Sequence, residues 1–386
     1  FGRDAPTFFT WARRRRLPED EPVALAFTEF LRRTLRRRAP LAEPRDVAAM
    51  LASYAREGLA RVSMSAGLPS LAALRDALGT SLGLNFEPGP KGDHFFRSTL
   101  VQTLFYGLFS SWASHARVSP SQFDWRTTVW SLHVPAVRAL FEQLATPGRL
   151  GALGLVEVVG WAADALNRIE RDTFFGRFDQ AEAVQHFYEP FLAAYDPELR
   201  KALGVWYTPV EVVRYMVERV DRALRTELGI ADGLADPNVW VLDPCTGTGS
   251  FLIEVLRRIR RTLEDKGVGA TLGAELKQAA MYRVAGFEIL PAPFVIAHWQ
   301  VATLLADAGA TFDDANDERA AIYLTNALTG WEPGAAGPHL PFPELERERD
   351  LANTVKQSDP VLVIIGNPPY SAFDGTSPDP EGELVT

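Results

Sequence analysis

A short apolar run, Val239 to Asp243, is followed at once by the glycine turn Pro244-Cys245-Thr246-Gly247-Thr248-Gly249-Ser250-Phe251, and then by the helical run Leu252 to Leu263. Strand, tight glycine turn and helix in that order form the opening unit of a doubly wound α/β sheet, because glycine alone lets backbone bend so sharply and come so near a ligand. The spacing is not the G-x-G-x-x-G of dinucleotide folds, and the turn lacks the Lys of a phosphate-binding P-loop, so neither NAD nor ATP is favoured. Three further apolar runs, Tyr282 to Phe287, Ala320 to Leu324 and Val361 to Ile365, read as buried parallel strands. They end in Glu288, in Thr325-Asn326 and in Asn367. Asp243, Glu288, Asn326 and Asn367 are therefore expected in a line along one edge of the sheet, where such folds bind ligands.

The last of these ends has the most specific chemistry. Asn367 offers an amide oxygen, Pro368 a carbonyl, and Tyr370 an aromatic face. The stiff Pro368-Pro369 pair holds the two acceptors at a fixed separation, so both hydrogens of an exocyclic amine are within reach while Tyr370 stacks on the ring that bears it. Glu288, at the tip of the second strand, suits the two hydroxyls of a ribose. Upstream, Tyr207-Thr208-Pro209 precedes the amphipathic run Val210 to Leu224. Thr208 at the N-cap, Pro209 at the first helical position and Glu211 at the third read as a capping box. A free helix N-terminus also suits a carboxylate.

Together and in this order, Tyr207-Thr208-Pro209, Asp243 to Phe251 and Asn367-Pro368-Pro369-Tyr370 resemble the gamma class of N6-adenine DNA methyltransferases of restriction-modification systems. The likeness is greatest to the methyltransferase region of the large single-chain enzymes and covers roughly residues 200 to 386, with Phe95 to Phe109 resembling the helical region that precedes it. The resemblance implies a Rossmann-like, S-adenosylmethionine-dependent α/β sheet at 201–386, preceded by a mostly α-helical coupler at 1–200. It implies S-adenosyl-L-methionine as the cofactor, with Tyr207, Thr208, Pro209, Asp243, Thr246, Gly247, Gly249, Phe251, Glu288 and Asn326 as its contacts. Asn367, Pro368, Pro369 and Tyr370 become the catalytic loop. The implied reaction is methylation of the N6 amine of a flipped adenine in double-stranded DNA, in restriction-modification or phage defence. Implied partners are a downstream target-recognition domain and restriction nuclease or helicase domains or subunits, and the implied setting is a bacterial or archaeal cytoplasm.

Rival substrates share the loop. Methyltransferases of glutamine amides in protein release factors, and of guanine amines in RNA, also use Asn-Pro-Pro-aromatic, but they usually lack the Tyr-Thr-Pro element. N4-cytosine enzymes more often carry Ser where this chain has Asn367. A non-catalytic DNA-binding scaffold with a degenerate cofactor pocket is the reading from another class, and intact Asp243, Glu288 and Asn367 argue against it.

Charge does not decide between them. The formal net charge is -9, but the first 45 residues hold 11 Arg against 6 acids, +5, leaving -14 for the rest. Arg13 to Arg16 and Arg32, Arg33 and Arg36 to Arg38 carry the basic share, which suits phosphate contacts or equally a solvated face. The single cysteine, Cys245, forbids an intrachain disulfide and reads as a small packing residue. Six scattered histidines show no metal-ligand spacing, so no metal is expected, and His298 reads as packing. No apolar run approaches a membrane span.

Residues 1 to about 200 read as helical, without internal repeats. Leu100, Val101, Leu104, Phe105, Leu108, Phe109 and Trp112 form an apolar stripe at helical spacing. Turn signals at Glu87 to Gly92 and Thr146 to Gly148 divide this part into groups of two or three helices. Sixteen residues follow Tyr370, and Asp374 to Glu383 is loop-like, so the sheet is expected to be incomplete at its C-terminus.

Overall fold

The computed structural model describes residues 41–64, 69–82, 86, 89–128, 147–178, 187–197, 208–331 and 343–368. The arginine clusters before residue 40, Tyr207, Pro369, Tyr370, the turn residues Glu87, Pro88 and Thr146, and the tail from Asp374 lie outside the described residues.

Among the described residues, four parallel strands make one sheet: β1 (Trp240–Asp243), β2 (Val284–Glu288), β3 (Ile322–Leu324) and β4 (Val361–Ile364), in the order β3-β2-β1-β4. The register aligns their carboxyl ends. Asp243 pairs with Gly286, Glu288 pairs with Leu324, and Leu242 pairs with Ile364. Asp243, Glu288, Asn326 and Asn367 thus fall on one edge, as the strand endings predict.

The helices that matter here are α1 (Pro44–Met64), α2 (Pro69–Leu82), α3 (Pro90–Val118), α4 (Val156–Leu166), α5 (Arg171–Phe178), α6 (Glu189–Tyr195), α7 (Val210–Thr226), α8 (Ser250–Asp265), α9 (Leu272–Gln278), α10 (Pro291–Asp307) and α11 (Pro343–Ser358). Strand alternation divides the sheet residues between two faces. Val241, Val284, Ile322 and Val363 join the large core under α8 and α10, while Leu242, Ala285 and Phe287 pack with Ala352 and Val355 of α11. The large core continues without a break into the helical part. Trp299 of α10 sits among Phe109 and Phe178, and its indole N–H donates to Ser114 Oγ at 3.2 Å.

Three expectations change in the structure. Helix α3 is buried on all sides from Ser98 to Ala113 rather than along a stripe, and among the described residues some of its polar side chains find internal partners while the Thr99, Ser110 and Ser111 hydroxyls have none. Ser98 Oγ donates to Asp196 Oδ2 at 2.7 Å, and Thr103 Oγ1 to the Thr99 carbonyl at 2.7 Å. A helix apolar only at its stripe positions is still enclosed when neighbours surround it, because small Ser and Thr can bond backbone locally.

Strand β4 is likewise not buried on both faces. Leu362 and Ile364 are 49% and 67% exposed: they alternate with Val363, and Ile364 pairs with Leu242 on the face that α11 packs, but on the edge strand β4 they lie beyond its cover.

The capping box does not form. Pro209, with φ -53° and ψ 137°, is itself the N-cap of α7, and no side chain caps the helix. The Pro209 carbonyl accepts from the N–H groups of Val212 and Val213 at 3.0 and 3.1 Å. Thr208 precedes a proline, which disfavours helical backbone there, so its hydroxyl stands one residue too early to reach the first-turn amides.

Candidate active site

The glycine turn is built by β1 and β2 together. Thr246 Oγ1 donates to the Asp243 carbonyl at 3.0 Å, and the Thr246 N–H donates to the Phe287 carbonyl at 2.9 Å. Gly286 allows this closeness, for a Cβ there would strike Thr246 Oγ1 and Leu252. Gly247 adopts φ +55° and Gly249 φ +96°, both left-handed, which explains why glycine stands at each. Their surroundings differ. Among the described residues, a Cβ at Gly247 would meet open space, whereas one at Gly249 would press Ala297 of α10 at 3.3 Å. Gly247 therefore faces a space a ligand can use, and Gly249 serves helix packing. Phe251 also belongs to the core, on the inner face of α8.

Glu288 closes the turn from the next strand. Its Oε2 accepts from the Gly247 N–H at 2.7 Å, and its Oε1 from the Leu290 N–H at 2.7 Å. Asp243 is fully buried at the end of β1; Oδ1 accepts from the Cys245 N–H at 3.0 Å, while Oδ2 has no hydrogen-bond partner among the described residues. Burial pushes the Asp243 carboxyl up to about 7, opposed by the Cys245 N–H and reinforced by Glu288. Burial also pushes Glu288 up to about 7, against the N–H groups of Leu290, Gly247 and Ile289. Two buried carboxylates on adjacent strand ends thus disfavour each other's charge. Cys245, half-buried, is pushed up to about 11 by burial and then by both acids, so its thiol stays protonated and inert.

β3 and β4 complete the edge. Asn326 Oδ1 accepts from the Leu328 N–H at 2.9 Å, folding the side chain onto its own turn. On β4, the Ile365 N–H donates to the Leu242 carbonyl at 3.0 Å, and Gly366 lies against Asp243. Half-buried Asn367 and exposed Pro368 follow directly. Thr208 and Pro209 open α7, which Asp221 ties to α8. Asp221 accepts from Arg225 Nε and Arg258 Nε, each at 2.9 Å, and from the Leu234 N–H at 2.9 Å.

Two further residues contribute to the site. Gly366 is visible as a glycine between a strand and Asn367, a position that signals close backbone approach. Gln300 of α10, whose Nε2 donates to the Thr248 carbonyl at 2.6 Å, gives no such signal. His298 is the packing residue its surroundings suggest: it is buried, bonded to the Ile322 carbonyl at 3.1 Å, and held well below the usual imidazole range by burial and then by Arg319.

Residues 179–377 match the family model described as N-6 DNA methylase. No curated protein matches the chain. Among solved structures the chain is similar to the protein of a cryoEM DrdV–DNA complex, with 24% identity and a TM-score of 0.56 over 89% of this chain and 29% of that one. A nuclease-deletion mutant of the Type ISP restriction-modification enzyme LlaGI, in complex with a DNA substrate mimic, gives 18% identity and a TM-score of 0.56 over 86% of this chain and 25% of that one. The ATP-dependent Type ISP enzyme LlaBIII, bound to DNA, gives 19% and 0.55 over 88% of this chain and 21% of that one. At these identities the likeness is one of fold, and the chain spans less than a third of each of those proteins.

Proposed function

This chain belongs to the N-6 DNA methylase family, and from that premise we propose that it transfers a methyl group from S-adenosylmethionine to the N6 amine of an adenine flipped out of duplex DNA. The observation that carries the reading is the row of groups along the sheet edge, with Glu288 on β2, the glycine turn and Asp243 on β1, and Gly366-Asn367 after β4. The four strands are then part of a Rossmann-like sheet at 201–386, and residues 1–200 are its helical coupler.

The residues fit this cofactor. Among the described residues, Gly247 opens onto free space, Asp243 keeps a buried carboxylate oxygen without a partner, and Glu288 retains lone pairs for hydroxyls. Strand order sets the direction. With the ribose at Glu288 and the reacting amine at Asn367 beyond β1, the methionine end belongs to the glycine turn, Asp243 and the Thr208-Pro209 helix start. The adenine end then extends the other way, toward β3 and Asn326.

When bound, S-adenosylmethionine supplies an electrophilic methyl on a sulfonium. The protein's task is the nucleophile, since the lone pair of an adenine amine is delocalised into its ring. Asn367 Oδ1 and the Pro368 carbonyl accept the two N–H groups, which favours a tetrahedral nitrogen and localises the lone pair where it must attack. Tyr370 stacks on the extruded base and offsets part of the few kcal/mol that flipping costs. Holding amine and methyl in line is worth up to roughly 7–11 kcal/mol. No Lys or His is needed as a general base, because the proton leaves only after the nitrogen has become cationic.

The likeness to DNA-bound Type ISP restriction-modification enzymes supports duplex DNA as the partner and a restriction-modification or phage-defence setting, with target recognition, nuclease and helicase functions on other domains or subunits. Calorimetry with S-adenosylmethionine, followed by single-molecule sequencing of DNA from cells expressing the protein, tests the reading. N6-methyladenine at a defined sequence is expected. Absence of cofactor binding, or a mark on cytosine, would overturn it.

A further inference from the structure

Lys356, on α11, is buried at 7% exposure, and no carboxylate among the described residues pairs with it. Its ammonium lies over the Phe287 ring at 5.0 Å and donates to Thr325 Oγ1 at 3.0 Å, the Asn326 carbonyl at 2.8 Å and the Thr329 carbonyl at 2.8 Å. Three donors thus meet three oxygens of one loop, the segment that follows β3. Neighbours on the same helix hold the rest of it. Gln357 Nε2 donates to the Gly330 carbonyl at 2.8 Å, and Gly330, at φ +81°, lies so close to Asn353 that a Cβ there would collide with it. One turn from Lys356, Ala352 packs under the sheet, and a further turn back Glu348 accepts from Arg319 and from the Leu324 N–H at 3.1 Å. One face of α11 therefore grips β3 at both ends.

A buried ammonium is costly, and burial alone pushes Lys356 down to about 8. Packing does not demand it, because Met or Leu would fill the same space beside Phe287 at no such cost. What the ammonium adds is the convergence of the Asn326 and Thr329 carbonyls, which no apolar side chain can draw together. We infer that Lys356 is a positioning residue that shapes the Thr325–Gly330 loop into the wall of the cofactor's adenine end. This rests on the cofactor reading above, which sends the adenine toward β3.

The test compares the parent with Lys356→Met and Thr325→Val in the intact protein. Hydrogen exchange at amides 326–330 reads the loop itself, and calorimetry with S-adenosylmethionine and with 5′-methylthioadenosine, which lacks the amino-acid end, reads the site. Lys356→Met is expected to speed exchange in the loop but not at 246–249, and to weaken both ligands by the same factor, roughly tenfold or more for a lost charged hydrogen-bond set. Thr325→Val, a milder change that keeps the ammonium, is expected to move both readouts in the same direction by less, and it decides the matter if Lys356→Met does not fold. Unchanged exchange in both variants overturns the clamp. Faster exchange with unchanged affinity for both ligands overturns the adenine-wall role. If the parent itself binds neither ligand, the cofactor reading falls and takes that role with it, an outcome distinct from a parent that binds and variants that bind equally well.

Discussion

Gly366 lies against the carboxylate of Asp243, so near that a Cβ at position 366 would collide with Oδ1. The loop that carries Asn367 and the strand that carries the glycine turn therefore share a wall, with no side chain between them. In the proposed reaction the cofactor and amine sites are adjacent because a hydrogen atom occupies the place of a methyl group.

Gly366→Ala follows directly. Asp243 is fixed by the Cys245 N–H and has little room to move, so the new methyl must displace the β4 loop. Overpacking of this kind costs about 1–3 kcal/mol. Methyl transfer is expected to fall further than stability does, because the displaced residue is Asn367. Urea denaturation and single-turnover methylation on the same sample check this, and equal activity would show that the contact is slack.

Glu288 has a structural role and a proposed ligand role, and one substitution reports on both. Its two oxygens hold the Gly247 and Leu290 amides, whereas its remaining lone pairs are the ones proposed for the ribose. Glu288→Gln replaces one oxygen by an NH2 group that must face an N–H, which costs about 1–3 kcal/mol for the buried donor left unsatisfied. Stability is expected to fall and S-adenosylmethionine to bind more weakly, with adenosine losing as much as the full cofactor. Denaturation and calorimetry measure the two effects, and a stable variant with undiminished affinity would remove Glu288 from the site.

How much of this was legible in the sequence depends on the range of the interaction. The strand, glycine turn and helix around Gly247 are written within a dozen residues, and the polar ends Asp243, Glu288, Asn326 and Asn367 mark the sheet edge because strand and helix periods differ. Exposure of Leu362 and Ile364 was not legible, since an apolar run looks the same on an edge as in a centre. Lys356 and Gln300 gave no signal, as each acts on a loop that sequence separation hides. The cap on α7 failed for a local reason, because Pro209 takes extended backbone and moves the helix start past the reach of Thr208.

The buried acids give a pH dependence with a definite sign. Asp243 and Glu288 have ordinary values of 3.8 and 4.5 and are each pushed up to about 7, so between those limits the folded state binds more protons than the unfolded one. Their contribution to stability is whole below about pH 4 and is lost as pH rises through about 7. His298, kept neutral by burial, acts in the opposite sense as pH falls below its ordinary 6.5. Asp243→Asn isolates the acid: its denaturation midpoint is expected to fall less than the parent's between about pH 5 and pH 8. Parallel profiles would show that Asp243 ionises normally in the fold.

In the proposed reaction the chemistry rests on Asn367, which sits two residues past the last β1–β4 contact and beside the Asp243 wall. Asn367→Ala removes an acceptor whose bond strengthens as the amine becomes tetrahedral, so the methylation rate is expected to fall by roughly 100-fold or more, as when one preorganised transition-state hydrogen bond is lost. Cofactor affinity should hardly change, since Asn367 lies beyond the groups assigned to the cofactor. Tyr370→Ala is expected instead to weaken capture of the flipped base by about 1–3 kcal/mol, and Tyr370→Phe to be tolerated, because the ring rather than the hydroxyl does the stacking. Single-turnover methyl transfer to adenine-containing duplexes by the intact protein separates the two effects, with DNA affinity measured alongside. Parent-like rates in Asn367→Ala would remove the Asn-Pro-Pro-Tyr loop from the chemistry and favour a DNA-binding scaffold over an enzyme.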